Sequence, residues 1–551
     1  MTTLRGVGVG RGLAVGSVLR MPDPAPEPDT TPSTLGPDAE KERVTHALAA
    51  TGEDIRARAA KAGGTAAGVL EAQALMMDDP MLRTEVDARI DAGLTAERAV
   101  HEAFAHFRDM LAAVGGYLGE RAADLDDVAR RAIARIAGRP APGVPESDSP
   151  FVLVARDLAP ADTALLDPDL VLAIVTAEGG KTSHTAILAG EKGLPAVVGV
   201  AGALDVAEGS TVIVDAAAGE VSVDPGDEAV AAAEKRVADL KARVHVTGPG
   251  ALADGTAIPL LANLGSADGL EAAVAAGAEG VGLFRTEFLF LNDAEKAPSV
   301  ETQTAAYSAV LAGFPGKKVV VRALDAGADK PLTFLNDTEE ENPALGLRGI
   351  RNLRASEQVL RDQLTALAAA AADNTADVWV MAPMVATVEE TRYFTALARE
   401  LGIPTAGVMV EVPSAALLAD RILAAADFAS IGTNDLTQYT MAADRMLGSV
   451  ADLQDPWHPA VLRLVGEVGR AGETHGKPVG VCGEAAADPK LAVVLVGLGV
   501  TSLSMSSPAL ADVRDELARW TRDGARAAAR AALDAEDAAG ARAAVEALTP
   551  A

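Results

Sequence analysis

Between Ala257 and Ser506 eight short apolar runs recur, each followed by a segment of helix-like periodicity. They are Ile258 to Ala262, Gly280 to Phe284, Val319 to Val321, Val378 to Met381, Gly407 to Val410, Phe428 to Ile431, Pro478 to Val481 and Ser502 to Met505. A strand that returns to its sheet through a helix pairs parallel to its neighbour. Eight such βα units in succession predict a (β/α)8 TIM barrel. Active sites of such barrels are built at the carboxyl ends of the strands, where side chains distant in sequence converge. Here those ends carry Asn263, Arg285, Arg322, Glu411, Asn434 with Asp435, and Cys482.

The chemistry of that face suits a small anion. Arg285, Arg322 and Arg445 offer planar forks for phosphate and carboxylate oxygens, and Glu411 and Asp435 are hard oxygen ligands of the kind Mg2+ prefers. Any one of these arginines alone is a common surface residue in an exposed ion pair. Three arginines with a carboxylate pair form a constellation for phosphoryl transfer.

The amino-terminal half reads differently. Strand-like runs occur at Phe151 to Val154, Val171 to Val175, Ala196 to Val200, Thr211 to Val214 and Val221 to Val223. The glycine-rich opening Gly6 to Gly16 reads as a strand with turns, and without a βαβ unit it is weak evidence for a nucleotide loop. A proline-rich stretch from Pro22 to Pro37 leads into helical periodicity from Asp38 to about Gly138, with Val44, Leu48 and Ile55 on one stripe and Val100, Phe104, Phe107, Leu111 and Val114 on another. The simplest topology closes the first strand onto the later sheet and leaves an all-helical lobe inserted between. Residues Asp227 to Val246 have the spacing of a connecting helix, about 30 Å long. The expected domains are therefore an α/β domain of residues 1–21 and 139–225, a helical insert at 22–138, a linker helix at 226–248 and the barrel at 249–551.

In the α/β part, Gly179-Gly180-Lys181-Thr182-Ser183-His184-Thr185-Ala186-Ile187 follows a buried strand and sets one histidine on a glycine-hinged turn where a helix begins. Thr182 or Ser183 can cap that helix, whose free N–H groups and positive dipole end favour an anion, so a phosphorylated imidazole would be well seated. Taken alone, the motif also fits an ordinary surface histidine.

Composition narrows the partners. The chain of 551 residues carries 78 acidic and 48 basic side chains, a net charge of −30, which repels a polyanion such as DNA. No run of about 18 apolar residues is present and the first residues lack a signal-peptide pattern, so a soluble, cytoplasmic protein is expected. The single cysteine, Cys482, excludes an internal disulfide framework.

With these residues in place, the chain resembles the enzyme I family of the phosphoenolpyruvate-dependent sugar phosphotransferase system, the phosphoenolpyruvate-protein phosphotransferases. The match is carried by the His184 segment and by Asp427-Phe428-Ala429-Ser430-Ile431-Gly432-Thr433-Asn434-Asp435-Leu436-Thr437-Gln438-Tyr439. Further matching segments are Phe284 to Phe290, Glu341 to Arg348, Val410-Glu411-Val412-Pro413 and Val481-Cys482-Gly483-Glu484, so the likeness spans almost the whole chain. The resemblance implies a swivelling phosphohistidine domain with an inserted helical domain, and phosphoenolpyruvate bound at the barrel mouth by Arg285, Arg322, Arg445, Asn434 and Asp435. It implies Mg2+ on Glu411 and Asp435, His184 as the phosphoryl acceptor, Cys482 as proton donor to the enolate and Thr163 as the residue orienting the histidine. Lys330, Asn342 and Arg348 would contribute to the phosphate site. The implied partners are the phosphocarrier protein HPr, docked on the helical lobe, and a second copy joined through the barrel.

Two positions depart from the family pattern: Gln73 stands where the family commonly has histidine, and Asp126 where it usually has arginine. Both lie on the lobe expected to bind the partner. Pyruvate phosphate dikinase and phosphoenolpyruvate synthase share the histidine domain and barrel but need a nucleotide-binding domain for which these residues leave no room. A nitrogen-type enzyme I would carry a further sensory domain before Met1. A non-catalytic regulatory paralogue would have lost an arginine, a metal ligand or the histidine, and all are present.

Overall fold

A computed structural model describes the chain apart from residues 1, 11, 23–25, 62–69, 72, 115–121, 140–142, 146, 159–165, 168, 181–184, 187–188, 190–192, 242–245, 247, 292–295, 328–331, 333, 336–339, 446 and 551. The chain divides into two units, Met1–Arg243 and Val244–Ala551.

The first unit is built on an eight-stranded sheet of β1 (Thr2–Arg5), β2 (Val7–Val9), β3 (Leu13–Arg20), β4 (Phe151–Ala155), β5 (Val171–Thr176), β6 (Ala196–Val198), β7 (Thr211–Asp215) and β8 (Glu220–Val223). Their order is β1-β8-β7-β3-β4-β5-β6-β2, with β3 to β6 parallel. The whole of β4 is buried: Val152 and Val154 face one apolar layer and Phe151 and Leu153 the other. That two-sided burial explains its unbroken apolar sequence.

β1 and β2 occupy opposite edges of this sheet, yet only Gly6 separates them in sequence. The two edges must therefore lie side by side, and the sheet is rolled almost shut. Gly6 donates its N–H to the Gly219 carbonyl at 3.0 Å. A Cβ on Gly8 would sit 1.8 Å from the Ala216 carbonyl oxygen. The glycine-rich opening thus permits backbone contact along the seam.

Between β3 and β4 the chain forms α1 (Pro37–Lys61), α2 (Pro80–Asp91), α3 (Ala96–Val114) and α4 (Ala122–Ile136). Val44, Leu48, Ile55, Val100 and Phe104 share one apolar core with Val128, as the predicted stripes require. Asp79 accepts from the Met81 and Leu82 N–H groups ahead of Pro80, which fixes the start of α2. After β8 comes α5 (Asp227–Lys241), shorter among the described residues than the predicted 227–246. It belongs to the first unit, with Arg236 3.7 Å from Asp215 of β7.

The second unit is a closed parallel barrel of β9 (Leu260–Leu264), β10 (Gly280–Phe284), β11 (Lys318–Arg322), β12 (Asp377–Ala382), β13 (Thr405–Val410), β14 (Ala429–Ile431), β15 (Val479–Val481) and β16 (Ser502–Met505). Each predicted run contributes a strand. The first starts two residues later than expected because Ile258 donates to the Gly250 carbonyl at 2.8 Å and Ala257 bridges Ala251, a short antiparallel contact beneath the barrel. Strand alternation sorts the side chains: Val319 and Val321 join the large core beneath the helices, whereas Val320 packs inside the barrel with Leu283, Met381, Met409, Phe428 and Cys482. All three tryptophans, Trp379, Trp457 and Trp520, lie in this unit.

Candidate active site

Strand periodicity positions the first of the site residues. In β11 the side chain two residues after Val320 is Arg322, at the carboxyl end of the strand, 8% exposed. Its Nη2 donates to Glu287 Oε1 at 2.6 Å and its Nη1 lies 3.2 Å from Asp325 Oδ2. Glu287 begins the short helix after β10 and also accepts the Asp325 N–H at 3.2 Å. The turn is held from below. Thr286 Oγ1 donates to the Arg322 carbonyl at 3.0 Å, and Gln363 donates to Thr286 Oγ1 at 3.0 Å while accepting the Leu324 N–H at 3.0 Å.

Arg348 joins this cluster to the other side of the barrel mouth. Its Nε and Nη2 donate to Asp325 at 3.0 and 2.9 Å, and its Nη1 and Nη2 donate to Asp435 at 3.0 and 3.2 Å. Asp435 sits in the first turn of the helix Thr433–Met441, which starts directly after β14, and Arg445 Nη1 lies 3.7 Å from it. Glu411 follows β13, 1% exposed, and accepts the Met384 N–H at 2.7 Å. Met384 adopts φ 56°, a left-handed conformation that an L side chain adopts at a cost and that aims its N–H at the carboxylate.

These groups set each other's protonation. Burial pushes Glu411 up to about 8, Asp435 and Asp325 add to the rise, and Arg322 and Arg348 oppose it. Burial works against the charge on Arg322, but Glu287, Asp325 and Glu411 outweigh it and raise its pKa. Arg348 behaves likewise between Asp325 and Asp435. Cys482, 3% exposed after β15, is pushed up to about 11 by burial and stays a thiol at neutral pH. Its sulfur lies 3.6 Å from the Ile431 carbonyl.

Most of the predicted residues meet here. Arg322, Arg348, Asp435 and Arg445 form one chain of contacts with Asp325, and Glu411 and Cys482 share its field. Asn434 accepts the Glu484 N–H at 3.0 Å, tying the ends of β14 and β15 together. Arg285 is exposed and acts on Cys482 only through its charge. Asn342 is exposed and makes no side-chain bond at the turn it begins. Asn263 points its amide at the Cys482 carbonyl, 3.0 Å away, and so supports that strand end. His184, Thr163 and Lys330 lie outside the described residues. Sequence reasoning missed Glu287 and Asp325 as partners and placed Arg348 in a lesser role, although this arginine bridges the site. The available signal was the acidic residue close to each of Arg285 and Arg322.

Two features leave room for a ligand. Arg322 Nε and Thr433 Oγ1 are buried and have no hydrogen-bond partner among the described residues. Glu411 and Asp435 are close enough to repel, the situation a divalent cation relieves, and Mg2+ is commonly held by one or two carboxylates plus substrate oxygens. Among the described residues no group of three or more His, Cys, Asp or Glu side chains is arranged to hold a metal by itself. No described helix is long and apolar enough to cross a membrane.

On the helical lobe, Gln73 is 1% exposed and Asp126 accepts from Arg108 at 3.1 Å. Neither is a free group on the surface.

Comparison with known proteins places the whole chain. Residues 240–522 match the family model of the PEP-utilising enzyme PEP-binding domain, residues 5–121 the PEP-utilising N-terminal model and residues 147–219 the mobile-domain model. A phosphoenolpyruvate-protein phosphotransferase of Streptomyces coelicolor is 55% identical over 544 residues, covering 98% of each chain. Proteins of that description from Haloferax volcanii and Geobacillus stearothermophilus are 43% and 38% identical; the alignments cover 87% and 95% of this chain, and 86% and 94% of theirs.

Proposed function

The chain belongs to the phosphoenolpyruvate-protein phosphotransferase family, and from that premise we propose that it moves the phosphoryl group of phosphoenolpyruvate onto His184 and then to a histidine of HPr, the first step of sugar uptake by the phosphotransferase system. The observation that best supports the barrel as the loading site is the buried Arg322, with its unpartnered Nε, among Glu287, Asp325 and Glu411. Arg322, Arg285, Arg445 and Asn434 would hold the phosphate and carboxylate of the substrate. Glu411 and Asp435 would hold Mg2+, which when bound draws negative charge from the transferring group.

The electron pair of a His184 ring nitrogen forms the N–P bond as the bridging P–O bond breaks, and the enolate leaves with the bond's electrons. The enolate then takes a proton on its terminal carbon from the Cys482 thiol, giving pyruvate and a thiolate. Arg348 holds Asp325 and Asp435 in place while this occurs. The site is a cytoplasmic one in this reading, and the working form is a dimer joined through the barrel. Because His184 and the barrel lie in different units, the histidine would travel between loading and unloading positions.

The test is labelling. Phosphoenolpyruvate carrying radioactive phosphate, with Mg2+, should give an acid-labile, alkali-stable phosphoprotein that discharges to HPr. Uptake of label by His184→Ala, or better labelling from ATP than from phosphoenolpyruvate, would sink the reading. Retained labelling without discharge to HPr would leave the loading reaction standing and remove HPr as the partner, an outcome to which Gln73 and Asp126 give weight.

A further inference from the structure

Beneath Cys482 a few polar side chains interrupt the apolar filling of the barrel. Layers of branched apolar side chains normally fill this space. Here Ser430 of β14, Ser502 and Ser504 of β16 and Lys318 at the start of β11 line one small cavity together with apolar side chains such as Val320 and Phe428, and Gly282 and Gly480 bring no side chain. The cavity offers about 10 Å3, close to the room that one water needs, and its walls carry the polar partners a water requires. A Cβ on Gly480 would lie 3.0 Å from Ser502 Oγ and 3.9 Å from Ser430 Oγ, so this glycine keeps the two hydroxyls facing shared space. Ser430 directly precedes Ile431, whose carbonyl takes the Cys482 N–H at 3.0 Å and lies 3.6 Å from its sulfur, and the Ser430 hydroxyl draws the thiol's pKa down against burial.

Lys318 closes the lower end. Its Nζ stands 4.6 Å over the Trp379 ring, and Asp377 is the charged group that faces it. Burial pulls the ammonium down to about 8 against the pull of Asp377, so it gives up and recovers a proton near neutrality. The proposed transfer to pyruvate leaves Cys482 as a thiolate in a buried position, which must regain a proton before the next turnover.

We propose that the hydroxyl-lined cavity is a proton-return path from the lower rim of the barrel to Cys482, with Lys318 as its entry and Ser430 as its last carrier. The inference rests on Cys482 being the proton donor. Ser430 gives its hydroxyl proton to the thiolate and takes one from a cavity water, which takes one from the Lys318 ammonium. Solvent then recharges the amine. Each carrier ends with the protons it began with, and the net change is one solvent proton delivered to sulfur. Lys318 and Ser430 touch neither substrate nor metal and are positioning residues.

The test uses the whole enzyme in a single turnover, for which no phosphoryl acceptor is needed. Protein equilibrated in H2O is mixed into excess D2O, phosphoenolpyruvate and Mg2+ follow after a variable delay, and the deuterium content of the pyruvate methyl group is read by mass spectrometry. The wild type should reach full deuterium at the shortest delays, whereas Lys318→Met and Ser430→Ala should retain protium for delays at least tenfold longer at unchanged KM for phosphoenolpyruvate. Ser430→Thr, which keeps the hydroxyl, should restore fast exchange. If Lys318→Met fails to fold, Ser430→Ala and Ser502→Ala carry the test. Identical deuterium uptake in wild type and variants would overturn the path while leaving Cys482 as donor. Wild-type pyruvate formation by Cys482→Ala would instead overturn the donor assignment, and the path with it.

Discussion

Arg348→Met is the substitution that most directly tests the construction of the site. The guanidinium makes four hydrogen bonds to two carboxylates, Asp325 and Asp435, which are 2% and 6% exposed. Removing one partner of a buried ion pair costs about 3–5 kcal/mol, because the remaining charge stays buried. Arg348→Met takes four hydrogen bonds from two buried carboxylates and leaves them to Arg322 at 3.2 Å and Arg445 at 3.7 Å, so a loss of about 3 kcal/mol in barrel stability, the lower end of that range, is expected. Adding Asp325→Asn neutralises one of them and should return about 0.5–3 kcal/mol, a coupling of the size found between residues in one network. Urea unfolding followed by tryptophan fluorescence reads the barrel alone, since Trp379, Trp457 and Trp520 all belong to that unit. A loss under about 1 kcal/mol, the value of an exposed pair, or strict additivity in the double variant would refute the reasoning.

Three further expectations follow from the same geometry. Cys482→Ala should slow pyruvate formation by about 10²–10⁴-fold, the usual contribution of a positioned acid, with little change in KM for phosphoenolpyruvate; stopped-flow assay of pyruvate checks it. Glu411→Gln should raise the Mg2+ concentration for half-maximal phosphorylation beyond the about 10–100-fold typical of an outer-shell change, measured by a metal titration of labelling. Lys318 has a folded pKa of about 8 against an ordinary 10.5, so between those values the unfolded chain holds more protons than the folded one and barrel stability rises with pH, by at most about 3 kcal/mol. Lys318→Met should flatten that rise in fluorescence-detected unfolding at pH 7.5 and 10.

The barrel was legible because each of its strands is a compact apolar run between helical stretches, and a strand end is a position that sequence can locate to within a residue or two. Glu411 and Asp435 were legible for the same reason: they follow Val410 and Ile431 closely. The pairing of Arg348 was not, since its partners Asp325 and Asp435 follow different strands, one in a loop and one in a helix, and only closure of the barrel brings them together. The cavity below Cys482 was equally hidden. Ser430, Ser502 and Lys318 are unremarkable in three separate strands, and their meeting depends on strand register around the barrel. Gly6 and Gly8 had a sequence signal, excess glycine, whose meaning was set by the backbone they approach.

The seam of the first unit has a consequence for how the chain is made. β1 and β2 leave the ribosome well before their partners, which are residues 220–223 and 196–198. Helices α1 to α4 need only local sequence and can settle during synthesis, whereas the opening strands must wait with unpaired backbone until the unit is nearly complete. Residues 2–9 therefore act last in this unit, although they are made before either partner. A chain lacking residues 2–9 would retain its helices but keep two raw sheet edges, each a template for pairing with another copy.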